Sequence, residues 1–390
     1  MAKKKTTPIE CYTLKNGQKL YRFKIYVGVD PLTGKEQRTT RSGFKTKKEA
    51  ELELARIKLE IEKGTFRKTV AETYQDIYNL WIMNYENTVE ESTFVKTKGI
   101  FNNHILPAMG NYKIEKINID VCQKHVDEWA RKLKKFRTVK SYAAKVLDFA
   151  IKRGYLQTNP FVHVDMPVTA KNTASLMDED ESENFYTREQ LVEFLSCLEK
   201  ENNYKAFALF RLLAFSGMRK GEALALTWND ANFKTNEIRI NKAISRGKDN
   251  KLYVKSTKTG VARTIKMDEK TMAVLKEWKK RQKQEYLALG FNTTKPKQLV
   301  FSNEQNEYLQ PTKTRKWILH VQNKYNLGKI TTHGLRHTHC SLLFEAGASL
   351  KEVQDRLGHS DVKTTMDIYT HVTKKAKEEA ILKFADFMSI

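Results

Sequence analysis

The sequence predicts a multidomain chain, mainly α with small β-sheets: an α+β N-terminal domain, an all-α domain, and a mixed, mainly-α C-terminal domain. Three observations carry this. The 390 residues exceed one typical domain and suffice for two or three, each with its own core. Hydrophobic periodicity is two near the N-terminus, helical from Val70 to about Pro160, and mixed toward the C-terminus. Residues 161–185 have no period and carry the acidic run Met177-Asp-Glu-Asp-Glu-Ser-Glu183, which reads as an exposed linker. The expected divisions are 1–64, 65–165, a linker over 166–185, and 186–390.

The elements follow in order. Leu20 to Val27 alternates apolar and cationic side chains, as a strand with one basic face does; Asp30 to Gly34 is a turn and Glu36 to Arg41 a second strand. Thr46-Lys-Lys-Glu49 is a capping box opening a helix to about Glu62. In the helical segment, Tyr74, Ile77, Tyr78, Trp81 and Ile82 form one apolar stripe, and Val121, His125, Trp129 and Leu133 another. A helix over Thr138 to Arg153 stops at Gly154, before Asn159-Pro160. The last domain opens at Thr187-Arg-Glu-Gln190, a further capping box.

Charge narrows the partners. Lys and Arg number 70 against 46 Asp and Glu, a formal net charge of +24, which points to a polyanion: nucleic acid first, an anionic membrane surface second. No stretch approaches the roughly 18 uninterrupted apolar residues of a spanning helix. The most apolar run, Ala206 to Phe215, is broken by Arg211 and reads as a buried helix. The basic start is followed by no apolar segment, so the expectation is a cytoplasmic protein without a secretory signal. Cys11, Cys122, Cys197 and Cys340 are scattered and form no C-x-x-C pair, as reduced thiols would be. Residues 1–48 hold thirteen Lys and Arg against three acids, a surface for DNA or simply a solvated one.

Four features of the last domain gain meaning from their order. In Phe215-Ser-Gly-Met-Arg-Lys-Gly-Glu222, Gly217 breaks a helix, and Arg219 and Glu222 share the next turn; alone they could be a surface ion pair. Strands over Ile238 to Ile244 and Leu252 to Ile265 follow, and Lys258-Thr-Gly260 forms a turn in the second, where a lysine is ordinarily solvated. In Thr332-His-Gly-Leu-Arg-His-Thr-His-Cys340, Thr332 caps a helix with His333 and Arg336 on one face. His333 could be a structural histidine, and with His337 at i, i+4 it raises a metal site; Gly334 stands where a zinc protease has its glutamate, and no third ligand has a recognisable spacing. Ser349 to Leu357 is a capped helix ended by Gly358, so that His359 falls just past it, and Tyr369, core or rim by spacing alone, follows.

Together these are the groups that cleave a phosphodiester with no metal and no other cofactor. Arginine forks neutralise and orient the non-bridging oxygens. Tyrosine is the covalent nucleophile, lysine can protonate the leaving oxygen, and histidines exchange hydrogen bonds as charge moves. A phosphotyrosine stores the bond energy, which agrees with the absence of a G-x-x-x-x-G-K-[ST] loop.

On these residues the sequence resembles the tyrosine recombinase (phage integrase) family, closest to integrases of temperate phages and conjugative elements of Gram-positive bacteria. The resemblance spans essentially the whole chain. Gly217-Met-Arg-Lys-Gly-Glu222 is similar to the first arginine box, so Arg219 would be a catalytic arginine and Glu222 its supporting acid; Lys258 resembles the hairpin lysine that acts as general acid. His333-Gly-Leu-Arg336 is similar to the H-x-x-R box, Leu357-Gly-His359 to the L-G-H box, and Tyr369 falls where the nucleophile belongs. The resemblance implies an integrase that inserts and excises a mobile element through a 3′-phosphotyrosyl intermediate and a Holliday junction. It implies an arm-type DNA-binding domain over 1–64, three-stranded, and a core-binding domain over residues 70–160 that clamps the crossover site together with the catalytic domain. Implied partners are double-stranded DNA attachment sites, a homotetramer on that DNA, and a host DNA-bending protein and excision factor. Lys374 to Ile390, with Ala380, Ile381, Phe384 and Phe387 on one stripe, would dock on a neighbouring subunit or pack within its own. A type IB topoisomerase, with the same groups, and a non-catalytic DNA-binding regulator are the rival classes.

Overall fold

The structure, a computed structural model, describes residues 9–14, 17–29, 34–63, 72–168, 184–257, 260–295, 297–358 and Met366. These residues fall into two compact units, one drawn from 1–88 and 99–167, the other from 89–98 and 168–390.

The first unit opens on an antiparallel sheet of β1 (Ile9–Thr13), β2 (Lys19–Val29) and β3 (Glu36–Phe44), in that order, followed by α1 (Lys47–Glu62). The alternation in β2 sends Phe23 inward, onto Ala50, Leu54 and Ile57 of α1, with Phe44 stacked on it at 5.7 Å. Cross-strand register places Glu10 opposite Arg22, Lys24 opposite Thr40 and Tyr26 opposite Arg38, so the cations share the outward face. The capping box forms as expected: Glu49 N donates to Thr46 Oγ1 at 3.2 Å, and Thr46 N to Glu49 Oε2 at 3.3 Å.

After α2 (Tyr74–Glu86) comes α3 (Glu91–Ile100), whose residues 91–98 count with the second unit; α4 (Leu106–Met109), α5 (Ile119–Lys132) and α6 (Phe136–Lys152) complete the helices of the first. A π-turn over Phe101–Ile105 joins α3 to α4. It coincides with Pro107, which has no N–H for the Asn103 carbonyl and whose ring would crowd it. The stripe of α2 is buried as its spacing requires, and Tyr74 donates its hydroxyl to Ala143 O on α6 at 3.0 Å. In α5 the buried stripe centres on Cys122 and Val126 rather than on Val121 and Leu133. Phe161 and Val164, in a stretch without periodicity but inside the expected 65–165 division, belong to this core. Asn159 ties the segment back to α6, accepting from Phe161 N at 3.1 Å and donating to Asp148 Oδ1 at 2.6 Å. The acidic run lies outside the described residues.

The second unit is built around α8 (Tyr204–Ser216), an apolar helix buried nearly all round, packed by α7 (Arg188–Glu199). Arg211, its side chain 15% exposed, stacks on Phe215 at 4.4 Å and reaches Asp268 at 3.4 Å. After α9 (Lys220–Ala225), each of the two expected strands is split in two. The sheets are β4 (Ala231–Asn232), β5 (Glu237–Ile240) and β8 (Arg263–Lys266) in one, and β6 (Lys242–Arg246) with β7 (Leu252–Ser256) in the other. Gly221 lets β6 approach: a Cβ there would stand 2.8 Å from Ile244 O. The helices α10 (Glu269–Ala288), α11 (Pro311–Lys324), α12 (Gly334–Glu345) and α13 (Leu350–Leu357) complete the unit. No helix among the described residues is long and apolar enough to cross a membrane.

Candidate active site

The site begins where α8 ends. Gly217 is left-handed, with φ of 63°, and a Cβ on it would lie 2.5 Å from His339 Cδ2 and 2.6 Å from Leu357 Cδ2. Only glycine satisfies both the turn and the close packing. Two residues later Arg219 is the N-cap of α9, and Glu222 at its third position folds back: Arg219 N donates to Glu222 Oε2 at 2.9 Å and Arg219 Nη1 to Oε1 at 3.0 Å.

This is no surface ion pair, because Glu222 is only 1% exposed. Its carboxylate also receives a fork from Arg263, Nη2 to Oε2 at 2.7 Å and Nη1 to Oε1 at 3.3 Å. Burial pushes the Glu222 carboxyl up, but the hydrogen bonds and charge of Arg263, then those of Arg219, outweigh it and hold the group below the usual carboxylate range.

Arg336 comes from the first turn of α12. Thr332 was the expected cap of that helix; instead Thr331 Oγ1 accepts from Gly334 N at 3.1 Å, and buried Thr332 meets Thr314 at 3.4 Å. The backbone is tightly packed at Gly334, with Asn184 O 2.6 Å from where a Cβ would sit. Arg336 is 3% exposed, and among the described residues no carboxylate pairs with it. Nη1 donates to Gly217 O at 2.7 Å and Nη2 to Leu357 O at 2.8 Å. Burial and the adjacent Arg219 push its pKa down to about 9, so it keeps its proton at neutral pH while carrying a charge the protein does not fully compensate.

The end of α13 is held by these same guanidiniums. Arg336 binds the carbonyl of Leu357, Arg219 Nη2 that of Gly358 at 3.5 Å, and Arg263 Nε that of Arg356 at 3.2 Å. The terminal carbonyls of a helix lack intrahelical donors and carry partial negative charge, so cations are their natural caps. The arginines are thereby gathered at one point, and the residue after Gly358 in sequence is His359.

The histidines divide by environment. His333 is exposed, its ring edge-on to His337 at 4.9 Å, and partial desolvation with the charges of His337, Arg336, Arg219 and Lys220 pushes it down to about 4. It is therefore neutral at physiological pH and beside the arginines. The structural histidine is His339, which sequence reading passed over. Its Nδ1 meets Ala214 O at 2.8 Å and its Nε2 accepts from Arg356 Nε at 3.1 Å, fixing the neutral tautomer; burial, then Arg356, pushes it down to about 4. Among the described residues no group of three or more His, Cys, Asp or Glu is placed to hold a metal.

Of the residues singled out by sequence, Arg219, Glu222, His333 and Arg336 are brought together, while Lys258, His359 and Tyr369 lie outside the described residues, as does the C-terminal stripe. On either side of Lys258, Gly260 N donates to Thr257 O at 2.9 Å, and Thr257 Oγ1 to Val261 O at 2.9 Å. Arg263 was missed, although a signal existed. It stands two residues before Ile265, in phase with an inward-facing strand position, where a cation needs a buried acid.

A mainly helical unit that gathers guanidiniums beside a neutral histidine has the chemistry of a phosphoryl-transfer protein. Comparison with known proteins places it more narrowly. Residues 184–376 match the phage integrase family, 73–130 the phage integrase N-terminal SAM-like domain, and 12–61 the arm DNA-binding domain. The chain is 29% identical to a XerC-like tyrosine recombinase of Caldanaerobacter subterraneus subsp. tengcongensis, covering 94% of this chain and 96% of that one. It is 28% identical to the ICEBs1 integrase of Bacillus subtilis (96% and 99%) and 30% identical to the integrase of Staphylococcus phage L54a (77% and 88%). It shares its fold with the Tn1549 transposon integrase in complex with transposon right end DNA, at TM-score 0.66 and 21% identity over 80% of this chain and 99% of that one. A lambda integrase tetramer bound to a Holliday junction matches at 0.57 and 16% over 93% and 95%. The chain belongs to the phage integrase family, and it is a site-specific tyrosine recombinase, a DNA breaking and rejoining enzyme.

Proposed function

We propose that this recombinase integrates and excises a mobile element by cleaving attachment-site DNA through Tyr369. The observation that carries the reading is Arg336, a buried cation with no carboxylate partner among the described residues, set beside Arg219. A phosphate supplies the missing anion, and two forks can hold its non-bridging oxygens. The Tyr369 oxygen attacks phosphorus and the P–O5′ bond breaks, leaving a 3′-phosphotyrosine and a 5′-hydroxyl. Lys258 gives its proton to the 5′-oxygen; neutral His333 takes the phenolic proton, and His359 donates a hydrogen bond to a non-bridging oxygen. Glu222 orients Arg219. The reverse reaction with a 5′-hydroxyl from another duplex rejoins the strand, and two such rounds pass through a Holliday junction.

The domains divide this work: residues 1–64 bind arm-type DNA, 65–165 grip the core site, and 186–390 catalyse, joined by the 166–185 linker. The assembly is a homotetramer on DNA, a reading supported by the lambda integrase tetramer bound to a Holliday junction, and it works in the cytoplasm with a host DNA-bending protein and an excision factor. The test is trapping on a nicked suicide substrate, where the wild type accumulates a 3′-phosphotyrosyl adduct and Tyr369→Phe binds equally but forms none. An adduct from the variant moves the nucleophile elsewhere. Lys258→Ala should cleave ordinary DNA slowly and be rescued when the bridging 5′-oxygen is sulfur, which leaves unprotonated. Equal defects on both substrates would make Lys258 a phosphate clamp.

A further inference from the structure

Strand cleavage as set out above gives Arg263 no role, yet this residue makes the closest ion pair to the buried acid of the site. Its side chain is 10% exposed against 25% for Arg219, so of the two guanidiniums on Glu222 it is the enclosed one and Arg219 the one facing outward. It spends both terminal nitrogens on the carboxylate and Nε on the Arg356 carbonyl. Its stem also lies against Gly358, where a Cβ would come within 3.1 Å of Arg263 Cδ. Three guanidiniums, Arg219 from the cap of α9, Arg263 from β8 and Arg336 from α12, are the charged groups found facing Glu222 among the described residues.

We propose that Arg263 is a positioning residue for strand cleavage: by neutralising Glu222 it leaves the charge of Arg219 available to the scissile phosphate. With Arg263 present, one carboxylate is shared by two cations and the outward one keeps a net attraction for an anion. Without it, Glu222 is left to Arg219 alone, and the two close into a neutral pair that keeps no net attraction for the incoming phosphate. The inference rests on the cleavage reading above, because it needs a phosphate at Arg219.

The test is single-turnover cleavage of a nicked suicide substrate by the full chain at saturating protein, with DNA binding and thermal unfolding followed alongside. Arg263→Ala should cleave ~100-fold more slowly. Arg263→Lys, keeping the charge but losing the fork, should fall between. Two readouts separate this from a scaffold role. The ratio of Arg263→Ala to wild-type rate should rise from about pH 8 to about pH 6, as the buried carboxylate, having lost one of its two cations, takes up a proton and releases Arg219. Arg263→Ala with Glu222→Gln should regain ~10-fold over Arg263→Ala alone, the harmful charge being gone. A defect that is flat with pH and not relieved by Glu222→Gln, or no defect at all, overturns the proposal. Failure of the wild type itself to form an adduct would instead overturn the cleavage reading.

Discussion

Arginines serve opposite ends of this chain in opposite ways. On the N-terminal sheet, Arg22 pairs with Glu10 at 3.1 Å and Arg38 with Glu36 at 3.4 Å, each with more than half of both side chains exposed. In the catalytic unit, Arg336, Arg263 and Arg219 are sunk against backbone carbonyls and one buried acid. Water and salt screen the first set, so its members act in number, each interchangeable with another. The second set sits where the dielectric is low and its guanidiniums are held on fixed acceptors, so each member acts through geometry.

The sharpest way to break that contrast is Arg336→Lys. A lysine keeps the charge but cannot bind Gly217 O and Leu357 O together, so cleavage should fall ~100- to 1,000-fold. A rate within a few-fold of wild type, measured by adduct formation, would mean that charge alone suffices and the geometric reading is wrong.

Removing the N-terminal set as a whole comes next. A chain starting near Thr65 should still bind and cleave core-site DNA but lose recombination between full attachment sites. The slope of log K against log salt on arm-containing DNA should fall by roughly 0.9 for each phosphate that no longer meets a Lys or Arg. Recombination of full sites at the intact rate would leave the charge of residues 1–64 a solvated surface.

The fixed geometry of the second set also has a pH signature. His339, held neutral between Ala214 O and Arg356, has its pKa pushed from 6.5 to about 4. A histidine depressed in the folded state contributes stability that is whole above its unfolded pKa and lost as pH falls through that value toward the folded one. Urea unfolding should therefore show stability decreasing from about pH 6.5 to about pH 4, by on the order of 3 kcal/mol from this group. His339→Gln should flatten that part of the profile; an unchanged slope would assign it to other groups.

Smallest of all should be Arg22→Ala, which removes one exposed pair. It should change stability by ~0.5 kcal/mol or less, and the arm-site salt slope by roughly 0.9, the share of a single phosphate. A large loss of folding would show that the outer sheet face is structural.

Much of the candidate site was legible because its motifs are local. Arg219 with Glu222 is an N-cap and its third position, and Gly217 and Gly358 mark left-handed helix ends. The strands expected after α9 were right in kind and wrong in count, because Ile238, Ile240 and Ile244 share one period-two phase across Asn241, where the backbone leaves one sheet for another. The burial of Phe161 and Val164 was not legible, since a short segment without a period can still be held in a core through a hydrogen-bonded asparagine.

By itself, the sequence determined the class of the protein, those helices that a cap or an apolar stripe marks, and the residue types of the candidate chemistry. These depend on spacing within a few residues and on an order along the chain that can be read directly. Only the tertiary structure decided that Glu222 is buried, that Arg263 from a distant strand shares it, and that the carbonyls ending α13 are capped by three arginines. Those facts join residues up to 139 positions apart, as between Arg219 and Gly358. No periodicity encodes such a pairing, because it is selected by the free energy of burying charge and satisfying carbonyls once the helices have packed.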